Sequence, residues 1–169
     1  MPLTRRNRTR SPASRASRDA ISLLKADHRQ VEQWFKEFDS ARSKDRKHQL
    51  AAKICAALRV HTIIEEELFY PAFLMATEDT ATHHEAVVEH AGAKNLMAEI
   101  EQSNPDDEYF ESKVTVLSEM IKHHVKEEEK PGGMFAEAKK SQMDLDELGA
   151  RLLRRKNELM AENAALKVA

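Results

Sequence analysis

The chain has 169 residues, with 27 Lys and Arg against 29 Asp and Glu and a net charge of −2. That length predicts one domain with trimmings, and the charge balance argues against a nucleic-acid-binding domain, which is usually basic. Four glycines and five prolines are too few for the turns of an all-β domain, and no apolar run reaches the roughly 18 residues of a membrane span.

Residues 1–18 carry six arginines (Arg5, Arg6, Arg8, Arg10, Arg15, Arg18) and no acid. Without them 21 basic residues face 29 acids, leaving the rest of the chain at −8. The segment reads as a disordered, solvated tail; a nucleic-acid or membrane-surface arm is the sharper alternative. It is Arg- and Ser-rich like a mitochondrial presequence but lacks an apolar face. One cysteine, Cys55, forms no internal disulfide and asks for no oxidising compartment, so a cytoplasmic location is expected.

From Asp19 onward the pattern predicts an all-α, up-down four-helix bundle over residues 19–140, with an additional C-terminal helix within 141–169. The first helix spans about 19–40, where Ile21, Leu24, His28, Val31, Phe35 and Phe38 recur at helical spacing. The second spans about 46–70, with Leu50, Ile54, Leu58 and Ile64 inward, and Pro71 ends or kinks it. The third covers about 80–102. The fourth starts at Asn104 as N-cap with Pro105 at the first helical position, and Lys130-Pro131-Gly132-Gly133 breaks it. The last begins near Asp144-x-x-Glu147, a capping-box-like start, and runs to about Leu166. Its leucines at 145, 152, 159 and 166 keep a seven-residue spacing, but Leu148, Arg155 and Glu162 spoil a full coiled-coil seam. Docking on the bundle is favoured there, with a homodimer or partner contact as the rival.

The chain also repeats itself. Asp27-His28 and Glu89-His90 open the two halves, and His61-x-x-x-Glu65-Glu66-Glu67 and His124-x-x-x-Glu128-Glu129 close them. In a helix, residues four apart lie about 40° from one another, so each His-x-x-x-Glu puts an imidazole and a carboxylate on one face. In an antiparallel hairpin, residues equidistant from the turn share a height. The midpoints between His28 and His61, between the His61/Glu65 pair and His90, and between His90 and His124 all fall on predicted turns. His28, His61, Glu65, His90, His124 and Glu128 therefore converge at one level of the bundle.

Six ionisable groups in a core are costly to bury without compensation. A metal supplies it, because imidazole and carboxylate suit iron, zinc or manganese. The set exceeds one tetrahedral zinc and suits two metals, each with two histidines and both glutamates bridging. The bland alternative is a set of satisfied histidines and solvated acids, and the coincidence of repeat, spacing and turns weighs against it. Tyr70 reads either as a group reaching an open metal position or as helix-end packing. His83 shares nearly the face of His90, whereas His48, His84 and His123 read as surface or outer groups. Glu66, Glu67, Glu127 and Glu129 read as solvated faces or outer acceptors. Trp34, Phe35, Phe38, Phe69 and Phe73 read as core, and Cys55 as a small buried hydrophobe.

At these residues the sequence resembles the hemerythrin-like, HHE cation-binding family, over about residues 19–140. The family pattern H, HxxxE, H, HxxxE is matched by His28, His61 with Glu65, His90, and His124 with Glu128. The resemblance implies a four-helix bundle around two non-haem iron ions in an oxo- or hydroxo-bridged centre, and dioxygen, another diatomic or peroxide as the small ligand. Oxygen-carrying hemerythrins have one more histidine where this chain has Ala86, and a final aspartate where it has Glu128, so the chain resembles the bacterial branch. The segment Met143–Leu152 also looks like bacterial members. Binding of a diatomic for sensing, storage or scavenging is the first functional expectation. An oxidoreductase consuming peroxide or nitric oxide is the second, and an iron-dependent interaction module the third.

Overall fold

Asp19 opens the first helix, its carboxylate accepting the Ser22 amide at 3.0 Å and so satisfying one of the orphan donors of a helix start. This helix, α1 (Ala20–Ser40), buries Ile21, Leu24, His28, Val31, Phe35 and Phe38. Ser43 caps the next in the same way through Arg46, and α2 runs over Lys44–Ile64. A π-helical turn follows at Glu65–Phe69, then α3 (Tyr70–Thr77), α4 (Thr80–Gln102) capped by Asp79 and α5 (Phe110–Glu129). Short α6 (Met134–Lys140) and α7 (Leu145–Leu166) complete the order. The computed structural model describes residues 19–104 and 106–166; the Arg-rich segment, Pro105 and residues 167–169 lie outside them. Among the described residues every regular element is helical, and no helix is long and apolar enough to cross a membrane.

Two boundaries differ from expectation. The second helix does not end at Pro71, because the π turn precedes it and the helical path continues to Thr77. The Tyr70 amide reaches back five residues to the Glu65 carbonyl, which carries Tyr70 over Glu65, and Pro71, which has no N–H, falls in the first turn of α3. The fourth helix starts at Phe110 and not at Asn104. The Asn104 carbonyl accepts from Asp107, and the Asp107 carbonyl from Phe110, in successive turns. Phe110 is the first residue of the segment that reaches the core, against Phe38 and His48.

The helices α1, α2, α4 and α5 run up and down in an antiparallel bundle, and α7 lies across α1, α2 and the π turn. Two apolar clusters result. One joins Ile21, Leu24, Ile64, Phe69, Phe73 and Met134 with Leu148, Leu152 and Leu159 of α7. The other joins Val31, Phe35, Phe38, Ile54, Leu58, Met97 and Leu117 toward the opposite end. Each buried Leu, Ile or Phe contributes about 1.5–3 kcal/mol relative to exposure. Trp34, expected in the core, lies half-buried at its edge, with the Lys53 ammonium 4.1 Å over its ring. Between the clusters lies a polar belt: His28 falls between Leu24 and Val31 on α1, and His61 between Leu58 and Ile64 on α2.

Candidate metal centre

All six sequence-predicted site residues are buried and face one another. Glu65 is 0 % and Glu128 2 % exposed, and the four histidines are at most 6 % exposed. Their inner atoms form a closed ring. His28 Nε2 is 3.1 Å from His61 Nε2, which is 3.2 Å from Glu65 Oε1. The other Glu65 oxygen is 3.3 Å from His90 Nε2, which is 3.1 Å from His124 Nε2. Glu128 closes the ring, at 3.5 Å from His124 through Oε1 and 3.5 Å from His28 through Oε2. The donor atoms of His28, His61 and Glu65 lie within 4.8 Å of one another, as do those of Glu65, His90 and His124. Glu65 thus belongs to both groups, and each carboxylate spans the two histidine pairs.

The outer ring atoms face carboxylates. His28 Nδ1 donates to Glu129 at 2.8 Å, His90 Nδ1 to Glu66 at 3.0 Å and His124 Nδ1 to Glu89 at 2.6 Å. His61 Nδ1 stands 3.5 Å from Asp27 and makes no hydrogen bond. With protons on Nδ1 of His90 and His124, their Nε2 atoms face each other lone pair to lone pair at 3.1 Å and have no proton to share. Glu65 Oε1 and Glu128 Oε2 are likewise buried without a hydrogen-bond donor. Such a set of acceptors is stable only around positive charge, and a metal cation fits it.

The electrostatics agree. Burial pushes His28 down to about 4, against the raising effect of Glu129. Burial also pulls on His61, but Glu65 and Asp27 outweigh it and hold the imidazole up at about 10. Burial together with the charge of Glu65 pushes Glu128 up to about 8, since two carboxylates cannot both ionise in one dry core. The hydrogen bond from His28 takes Glu129 down to about 2. In the metal-free protein the site therefore holds protons where a cation is wanted.

Several neighbours were only partly legible. The Tyr70 hydroxyl sits inside the belt, 3.1 Å from His90 Nε2 and donating to Glu128 at 3.2 Å. His83 is not part of the ring and packs edge-on against the Tyr70 ring instead, at 6.0 Å. Of the extra acids, Glu66 and Glu129 hold ring histidines, whereas Glu67 pairs with Arg155 and Glu127 with Lys130. The roles of Asp27 and Glu89 lay in the repeat itself, as the acids preceding His28 and His90. Phe135, from α6, stacks on His28 with rings 5.8 Å apart and nearly parallel. Below the ring, Val31, Leu58, Ile121 and Val125 line a small apolar recess with the four histidines.

The Hemerythrin HHE cation binding domain family model matches residues 19–131. A crystal structure of a hemerythrin HHE cation binding domain-containing protein from Mycobacterium kansasii is similar in fold, with a TM-score of 0.70 and 23% identity. The match covers 85% of this chain and 88% of that one. No curated protein matches the chain.

Proposed function

Because the chain belongs to the hemerythrin HHE cation-binding family, we propose that it is a non-haem di-iron protein that binds dioxygen or a related diatomic. In this reading His28, His61, His90, His124, Glu65 and Glu128 hold two irons. The observation that carries it is the closed ring of buried acceptors, in which both carboxylates span the two histidine pairs. Two irons held by these residues would supply an open coordination position and, in the ferrous state, two electrons for a small ligand.

The chain's own groups do the rest. Glu129, Glu66 and Glu89 fix the proton on Nδ1 and aim each Nε2 inward. Val31, Leu58, Ile121 and Val125 make the recess beside the histidines apolar, which disfavours water there. Tyr70 offers a proton beside the His90–His124 pair. Purified protein loaded with iron should contain close to two irons per chain and, when oxidised, show oxo-bridged ferric absorption bands. A single zinc per chain after reconstitution with excess iron would sink the di-iron reading.

One observation favours a second reading, an oxidoreductase consuming peroxide or nitric oxide. Tyr70 brings a hydroxyl within 3.5 Å of four site residues, and a proton donor there serves turnover more than reversible binding. Sustained consumption of peroxide that drops on Tyr70→Phe would support the enzyme; an adduct released unchanged on deoxygenation supports the binder.

A further inference from the structure

The two halves of the repeat build their outer carboxylates alike, with one exception. Glu66 and Glu129, each next to the site glutamate of its half, cross to His90 and His28 of the other half. Asp27 and Glu89, each next to the first histidine of its half, face His61 and His124 of the same half. Three of these contacts are hydrogen bonds of 2.6–3.0 Å. The fourth, from His61 to Asp27, is stretched to 3.5 Å and leaves His61 Nδ1 without a hydrogen bond.

The difference has a visible source. The other oxygen of Asp27 accepts from Nζ of Lys156 on α7, with both side chains largely shielded from solvent. Glu66 and Glu129 also meet cations, Lys94 and Arg29, yet keep their histidines because a glutamate is one methylene longer. The shorter Asp27 cannot serve both partners equally, and Glu89 meets only the exposed imidazole of His123 at 3.3 Å. Helix α7 lies beyond the residues matched to the family, so the asymmetry comes from an element added to the repeat. An outer carboxylate makes a ligand histidine a better electron donor. One that is drawn toward an ammonium and only distantly faces the imidazole does so less.

We propose that Lys156 is a positioning residue of the metal centre: by holding Asp27 away from His61 it makes the metal position at His28 and His61 inequivalent to, and weaker than, the one at His90 and His124. This rests on the di-iron reading above. Arg155, the neighbour of Lys156, provides the control. It also ties α7 down, through Glu67 at 2.8 and 3.2 Å, but touches no carboxylate that faces a histidine.

The experiment uses the full chain loaded anaerobically with isotopically enriched ferrous iron. Mössbauer spectra and stepwise iron affinity against a competing chelator are compared for wild type, Lys156→Met, Lys156→Arg and Arg155→Met. Wild type should show two distinct iron environments and two-step uptake. Lys156→Met frees Asp27 to close on His61, so one environment should shift and the weaker step tighten by about tenfold, the lower end of the effects of outer-shell partners on metal affinity. Lys156→Arg and Arg155→Met should both keep the wild-type pattern. The inference is overturned if Lys156→Met changes neither environment or both, or if Arg155→Met reproduces its effect. It is also overturned if the two irons of wild type are equivalent, an outcome that leaves the di-iron reading standing. Wild type that takes up no iron overturns both.

Discussion

His28, His90 and His124 are gripped at two ends, by a carboxylate behind Nδ1 and by their neighbours at Nε2, whereas each glutamate reaches both histidine pairs. The two residue types should therefore fail differently. His28→Ala removes a group from one pair and should lower iron content mainly at one position. Glu128→Ala removes the link between His28 and His124 and should disturb both irons and their magnetic coupling. Retention of two coupled irons with an unchanged spectrum in Glu128→Ala would end the bridging assignment. The raised Glu128 carboxyl gives a second test. In the metal-free protein Glu128 keeps its proton up to about 8, against 4.5 for an ordinary glutamate. The folded state binds the extra proton between those values, so its contribution to stability is full below about pH 4.5 and lost as pH rises through about 8. Thermal melts of metal-free wild type and Glu128→Gln at pH ~6 and ~8 should show a fall with pH that is smaller in the variant. An equal fall in both would assign the pH dependence to other groups.

At the scale of elements, most of the bundle is legible because periodicity places the helices, and the last one starts where its Asp-x-x-Glu signal predicts, with Asp144 as cap. The π turn is not, since Pro71 reads as an end or a kink and nothing local tells a wider turn from an ordinary one. The start of α5 lies further on than the sequence suggests, because Asn104-Pro105-Asp106 carries the composition of a helix start while the burial of Phe110 fixes the start at that residue. The repeat and the turn midpoints bring the six site residues together in the sequence, but the grip of Lys156 on Asp27 leaves no sequence signal, being a contact between residues 129 apart. The turn after α5 deserves its own test. A Cβ on Gly133 would overlap the Glu127 carbonyl oxygen and lie 2.9 Å from that of Glu128, so the close approach that ends α5 needs glycine. Gly133→Ala should destabilise by about 1–3 kcal/mol, the usual cost of overpacking, and lower iron retention because Glu128 sits at the strained end. Gly132 has a positive φ of 75° but open space around its Cβ, so Gly132→Ala should cost stability through backbone conformation alone. Equal iron loss in the two variants would remove the special role given to the Gly133 contact.

At the scale of the whole molecule, two apolar clusters are joined across a polar belt, and that belt is the weak layer of the fold when no cation neutralises it. The helices themselves are held by their apolar faces, so metal removal should leave helicity intact and lower the melting temperature. A ligand that binds only the native state at a hundredfold excess over its Kd adds about 2.7 kcal/mol. For a domain of this size each kcal/mol is roughly 2–4 °C, so iron should raise the melting temperature by about 5–10 °C. The rise must shrink in acid. An imidazole binds metal only when neutral, and His61, held up at about 10 in the metal-free protein, must give up a proton to bind, so acidification favours the metal-free form. Melts with and without iron at pH ~7.5 and ~5.5, paired with equilibrium dialysis against a chelator, should show a large metal-dependent rise and full retention at the higher pH only. If iron is retained equally at both values and the rise does not change, histidine ligation is wrong, and the buried ring has some role other than holding a metal.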